Sequence, residues 1–120
     1  MKKIVIVMSV LFLMIGCDKL LAPIKTVNGF LEALKKHNTE KAYNYLSSNH
    51  SFYGRKDAFD NFVQTREISK YDFKNVSIRN GIAEVKGYLI DGSDKVNIMM
   101  ILEKENGKWK ILNWRQANEE

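Results

Sequence analysis

The chain has 120 residues, 45% of them hydrophobic, with 19 basic and 14 acidic residues and a net charge of +5. The lysines are scattered among acids in the sequence, so the charge does not read as a nucleic-acid footprint and is compatible with resting near anionic lipid headgroups. A single cysteine excludes an internal disulfide framework and any multi-cysteine metal site.

That cysteine ends the first segment. Lys2 and Lys3 form a short positive start, and Ile4 to Ile15 is an apolar run of 12 residues broken only by Ser9. A spanning helix needs about 20 apolar residues, so this run is too short to cross a bilayer and has the length of a cleaved signal peptide. Small Gly16 precedes Cys17, where a peptidase requires a narrow side chain. The alternatives are an ordinary signal peptide that leaves Cys17 free, or an uncleaved anchor. Without residues 1–16 the chain has 104 residues, 17 basic and 14 acidic, with a net charge of +3. That length makes one ordinary domain. Residues 17–22 read as a short tether, 23–116 as a single domain and 117–120 as a tail.

Pro23 suits the first turn of a helix, where its missing N–H costs nothing. Ile24, Val27, Phe30, Leu31 and Leu34 then recur at helical spacing. His37-Asn38-Thr39 breaks this pattern, and Asn38 or Thr39 can cap a second helix carrying Ala42, Tyr43, Tyr45 and Leu46. Ser47 to Ser51 reads as a polar surface loop that holds His50. A third helix carries Phe59, Phe62 and Val63.

From Tyr71 the apolar period becomes two. Asn80-Gly81 and Asn106-Gly107 are two-residue hairpin signals, because both positions require positive φ. Asp91 to Asp94 reads as a four-residue turn. These turns delimit strands over roughly 71–79, 82–90, 95–105 and 108–116. Strict alternation from them pairs Val76 with Val85, Val85 with Met100 and Met100 with Asn113. Neighbours across strands share a face. One face then holds Val76, Ile78, Ala83, Val85, Leu89, Val96, Ile98, Met100, Leu102 and Ile111, and the helices must cover it. The fold class is α+β, with three N-terminal helices on a curved four-stranded antiparallel meander.

On that register Asn113 points into the apolar face with Arg115 two residues on, a donor-rich rim suited to a small anionic ligand. The alternative is that Asn113 bonds helix backbone or a buried water and that Arg115 snorkels to solvent. The opposite face carries Met99, Ile101, Leu112 and Trp114. A wholly exposed stripe of that kind is unusual in a monomer, so a homodimer or an envelope protein partner is expected to cover it. The other reading has the termini or the Lys86 and Lys110 stems cover it. No Asp, Glu or His falls on the inward face, and His37 and His50 read as surface residues. No residues read as catalytic, no metal cluster has ligand spacing, and no cofactor motif is present. The expected function is therefore binding or interaction without catalysis.

Two resemblances add to this reading. Ile15-Gly16-Cys17 resembles a bacterial lipobox, with Met14 departing from the usual leucine. This implies a diacylglyceryl-type lipid on Cys17, hence a lipoprotein anchored to the cell membrane and facing the periplasm or the exterior. Asp18 resembles the retention residue of enterobacterial lipoproteins, which favours the inner membrane if the source is Gram-negative. Second, Val27-Asn28-Gly29-Phe30-Leu31-Glu32-Ala33-Leu34, Lys41-Ala42-Tyr43 and Asn106-Gly107-Lys108-Trp109-Lys110-Ile111 are similar to segments of the nuclear transport factor 2-like, or cystatin-like cone, superfamily. That resemblance implies a helix-lined pocket over a concave sheet. It also keeps open an alternative function, a small cone enzyme of isomerase or cyclase type.

Overall fold

The computed structural model describes residues 21–117. The expected signal peptide, Cys17, Asp18 and residues 118–120 of the expected tail lie outside the described residues. Helix α1 covers 21–35, α2 is Thr39–Tyr43 and α3 is Lys56–Gln64. Four strands follow: β1 Ile68–Arg79, β2 Ile82–Asp91, β3 Asp94–Glu105 and β4 Lys108–Gln116. They form one antiparallel sheet in sequence order. Among the described residues no helix is long and apolar enough to cross a membrane.

Helix α1 is already formed at residues 21 and 22, and Pro23 lies in its first described turn. Val27, Phe30, Leu31 and Leu34 are buried, as their spacing predicts. The helix ends at His37, whose φ of 56° turns the chain left-handed. Asn38 caps α2, its side-chain oxygen accepting from the Lys41 N–H at 3.1 Å.

Helix α2 is shorter than expected and releases Tyr45 and Leu46. Leu46 instead forms a parallel bridge to Ile111 of β4. The Ser47 N–H donates to the Ile111 carbonyl and the Ile111 N–H to the Tyr45 carbonyl, both at 2.8 Å. This segment covers the β4 edge, which would otherwise offer unpaired backbone groups.

Both hairpin turns behave as their residues dictate. Asn80, Gly81, Asn106 and Gly107 all have positive φ. The middle connection is tighter than expected, since Asp91 still pairs with Asp94 across Gly92 and Ser93. Val76 pairs with Val85 and Val85 with Met100, as strict alternation predicts.

Strict alternation fails in β4. The ladder shifts between Ile101 and Leu102, so Leu102 faces Ile111 while Ile101 faces Asn113 and Met100 faces Trp114. Leu112 is the extra residue of a β-bulge. The bulge lets Ile111 and Trp114, three residues apart, both point to the helices. A second shift between Phe73 and Asn75 does the same for Phe73 and Val76 in β1. Gly87 faces Phe73 there, and a Cβ on it would sit 2.6 Å from the Phe73 Cα, so the strands approach too closely for any side chain. Ile78, placed on the inward face, lies beyond the helices and stays 39% exposed.

Candidate functional site

Helices α1 and α3 do not fill the sheet's concave side. They leave an apolar chamber of about 110 Å³. Phe30, Leu31 and Leu34 of α1 form one wall and Phe62 of α3 another. Leu89, Val96, Ile98 and Met100 form the floor, and Trp114 closes the inner end. Trp114 is held by rings on three sides, at 5.6 Å from Phe30, 5.5 Å from Phe62 and 4.9 Å from His50.

The polar groups of the chamber sit where α3 passes into β1 and where β2 ends. Arg66 Nη1 lies 3.1 Å from Asp91 Oδ2, and the Glu67 N–H donates to Asp91 Oδ1 at 2.8 Å. The guanidinium also lies over the Phe62 ring, 4.7 Å from its centre, a favourable cation–π distance. His37 Nε2 donates to the Arg66 carbonyl at 2.6 Å, which ties this corner to the end of α1. Arg66 Nε is buried and has no partner among the described residues. A buried donor left unpaired costs about 1–3 kcal/mol, so the chamber mouth holds an unused donor directed by a fixed guanidinium.

Behind Trp114, away from the chamber wall, lies His50. It is 6% exposed, against the expectation of a surface residue in a polar loop. Ser47 and Asn49 donate to Glu103, the latter at 2.7 Å, and Ser48 donates to Glu105 through its N–H at 3.1 Å and through its hydroxyl. These bonds fasten the loop to β3 and press the imidazole between Phe52 and Trp114. His50 Nδ1 accepts from the Phe52 N–H at 3.0 Å, so Nε2 carries the proton in the neutral ring. Nε2 has no partner among the described residues. Burial pushes the His50 pKa down.

The expected site residues fare unevenly. Asn113 is exposed on the outer face opposite Ile101, and Arg115 is exposed opposite Met99, so neither reaches the chamber. The Leu112 bulge is the cause. It also moves Trp114 from the expected outer stripe to the helix-facing side, where it packs half-buried against the core. What remains of that stripe is not wholly exposed, since Met99 is 7% exposed and Ile101 and Leu112 are half-buried. The inward face does hold a carboxylate, that of Asp91, which ends β2 and does not belong to the turn alone. Arg66 and Asp91 were missed because each sits at an element end, where alternation assigns no face. The signal in β4 was the pattern Ile111, Leu112, Trp114, since no regular strand puts both Ile111 and Trp114 inside. Among the described residues no cluster of three His, Cys, Asp or Glu could hold a metal ion.

The fold as a whole matches known solved structures. An NTF2-like protein of unknown function from Shewanella baltica matches with a TM-score of 0.63 at 16% identity, over 86% of this chain and 97% of that one. A DUF4783 family protein from Bacteroides uniformis matches with a TM-score of 0.60 at 14% identity, over 78% and 96%. A protein of unknown function with a cystatin-like fold from Nostoc punctiforme matches with a TM-score of 0.59 at 15% identity, over 80% and 87%. No family model matches the sequence, and no curated protein matches it. The likeness is therefore one of architecture: this chain adopts the NTF2-like, cystatin-like cone fold.

Proposed function

We propose that the chain is a lipid-tethered, non-enzymatic binding domain of the bacterial cell envelope. Its chamber would take a small apolar molecule that ends in a hydrogen-bond acceptor, a carboxylate or a carbonyl. One observation carries this reading. An apolar chamber opens beside a guanidinium whose buried Nε has no partner among the described residues. An apolar cavity of about 150 Å³ accepts benzene. A chamber of about 110 Å³ therefore suits a single ring or a branched alkyl end. The tether part of the reading rests on the short apolar run that ends in Gly16-Cys17.

Native mass spectrometry of detergent-extracted, full-length protein tests both parts together. A diacylglyceryl mass on Cys17 supports the tether, and its absence removes it. A retained small molecule supports the chamber reading if Leu34→Phe, which fills the chamber, releases it. The chamber reading falls if nothing is retained and no short carboxylic or aromatic acid raises the Tm of the wild-type protein. The cone enzyme of isomerase or cyclase type is a second reading, favoured only by the Asp91 carboxylate on the chamber wall. Both its oxygens are already engaged. Conversion of the retained molecule by wild type but not by Asp91→Asn would move the assignment to that enzyme.

A further inference from the structure

The two ends of β3 lie about 35 Å apart, at about 3.3 Å per residue step. The chamber mouth, with Arg66 and Asp91, is at one end. At the other end the β3–β4 turn meets the first described turn of α1, where Thr26 Oγ1 donates to the Trp109 carbonyl at 3.5 Å. An open groove runs there between α1, α2 and the turn. Its walls carry Lys41, Lys108, Lys110 and half-buried Trp109, and no carboxylate among the described residues.

The positive charge at this end exceeds the negative. Lys110 Nζ donates to the Asn44 carbonyl at 2.6 Å. Lys41 and Lys108 are exposed and make no ion pair among the described residues. Glu40 pairs with Lys56 at 2.6 Å, and Glu105, opposite Lys108 in the ladder, accepts from the Ser48 N–H and lies in the field of Lys110. Lys104 Nζ stands over the Trp109 ring at 5.4 Å. Leu21, at the start of the described chain, is 46% exposed.

We propose that this end of the cone docks on anionic phospholipid headgroups. Lys41 and Lys108 meet the lipid phosphates, while Trp109 and Leu21 enter the boundary between headgroup and acyl chain. Tryptophan and lysine are the side chains suited to that boundary. Chain length supports the occupant. Only four residue steps separate Cys17 from Leu21, at most about 14 Å of chain, so a lipid on Cys17 keeps this end within reach of the surface. The inference rests on the tether reading for that placement. Its consequence is orientation: the chamber mouth faces away from the bilayer, roughly the length of β3 above it.

The test uses full-length protein reconstituted into vesicles of brominated phosphatidylcholine, alone or with 30% phosphatidylglycerol. Bromine quenches tryptophan only near contact. Trp114 lies six residue steps along β4 from the turn, about 20 Å, half-buried at the chamber. The expected result is stronger quenching in the anionic vesicles, reversed by 0.5 M salt and absent in Trp109→Phe. Lys41→Glu with Lys108→Glu should abolish the increase. An anionic surface favours each basic residue by about fivefold in affinity, so removing both lysines should weaken docking by at least roughly 25-fold. Equal quenching in the two lipids, in protein whose mass includes the Cys17 lipid, overturns this inference and leaves the tether standing. Anion-dependent quenching in protein without that lipid supports the surface and removes the tether.

Discussion

The middle of the sheet and its two margins are built by different rules. Strands β2 and β3 pair without interruption from Ile82 with Glu103 to Asp91 with Asp94, and their inward residues alternate strictly. The margins do not. β1 shifts register twice and β4 once, and the shifts after Phe73 and at Leu112 place a large aromatic ring, Phe73 or Trp114, against the helices. The regular ladder supplies the chamber floor. The irregular β4 supplies the closed end, because a regular strand would have put Asn113 there instead. A bulge costs local pairing and re-aims a side chain. Here the re-aimed ring separates the chamber from His50.

Trp114→Ala gives the largest test of this difference. It removes a ring packed on Phe30, Phe62 and His50, and should cost about 2–4 kcal/mol in a urea titration, since truncating a large core aromatic commonly costs several kcal/mol. A loss below about 0.5 kcal/mol, the range of ordinary surface changes, would mean that β4 is regular and Trp114 lies outside.

A middle-sized effect comes from pH. The folded His50 pKa is lowered by burial, so the native state resists taking the proton that the unfolded chain binds. Stability from this group is complete above the unfolded value of about 6.5 and declines as pH falls through it. Between pH 7.5 and 5.5 the loss has a ceiling of about 1.4 kcal/mol by linkage. Thermal melts should show Tm falling over that window in the wild type and a flatter profile in His50→Phe. An unchanged slope in the variant would place the imidazole in solvent.

Asn113→Leu should have the smallest effect. An exposed residue on the outer face should change stability by no more than about 0.5 kcal/mol. A loss well beyond that would restore the inward amide and remove the bulge.

Much of this molecule was legible in its residues. Helical spacing placed the buried faces of α1 and α3, and Asn80-Gly81 and Asn106-Gly107 placed two hairpins, because these signals act over a few residues. The floor of the chamber followed, since alternation outward from a turn stays in phase until something interrupts it. The sequence pointed to Leu89, Val96, Ile98 and Met100 for that reason.

The tertiary structure decided the rest. Leu112 bulges because Trp114 gains more from packing against Phe30 and Phe62 than an unbroken ladder returns, and that balance involves residues 84 and 52 positions away. His50 is buried because Glu103 and Glu105, over fifty positions away, hold its loop against β3. Arg66 and Asp91 meet only once β1 and β2 have paired. Sequence alone determined the elements, the strand order and the regular half of the sheet, which depend on local periods and turns. Contacts across the chain determined which side chains enter the chamber, because burial is settled by partners that no local pattern contains.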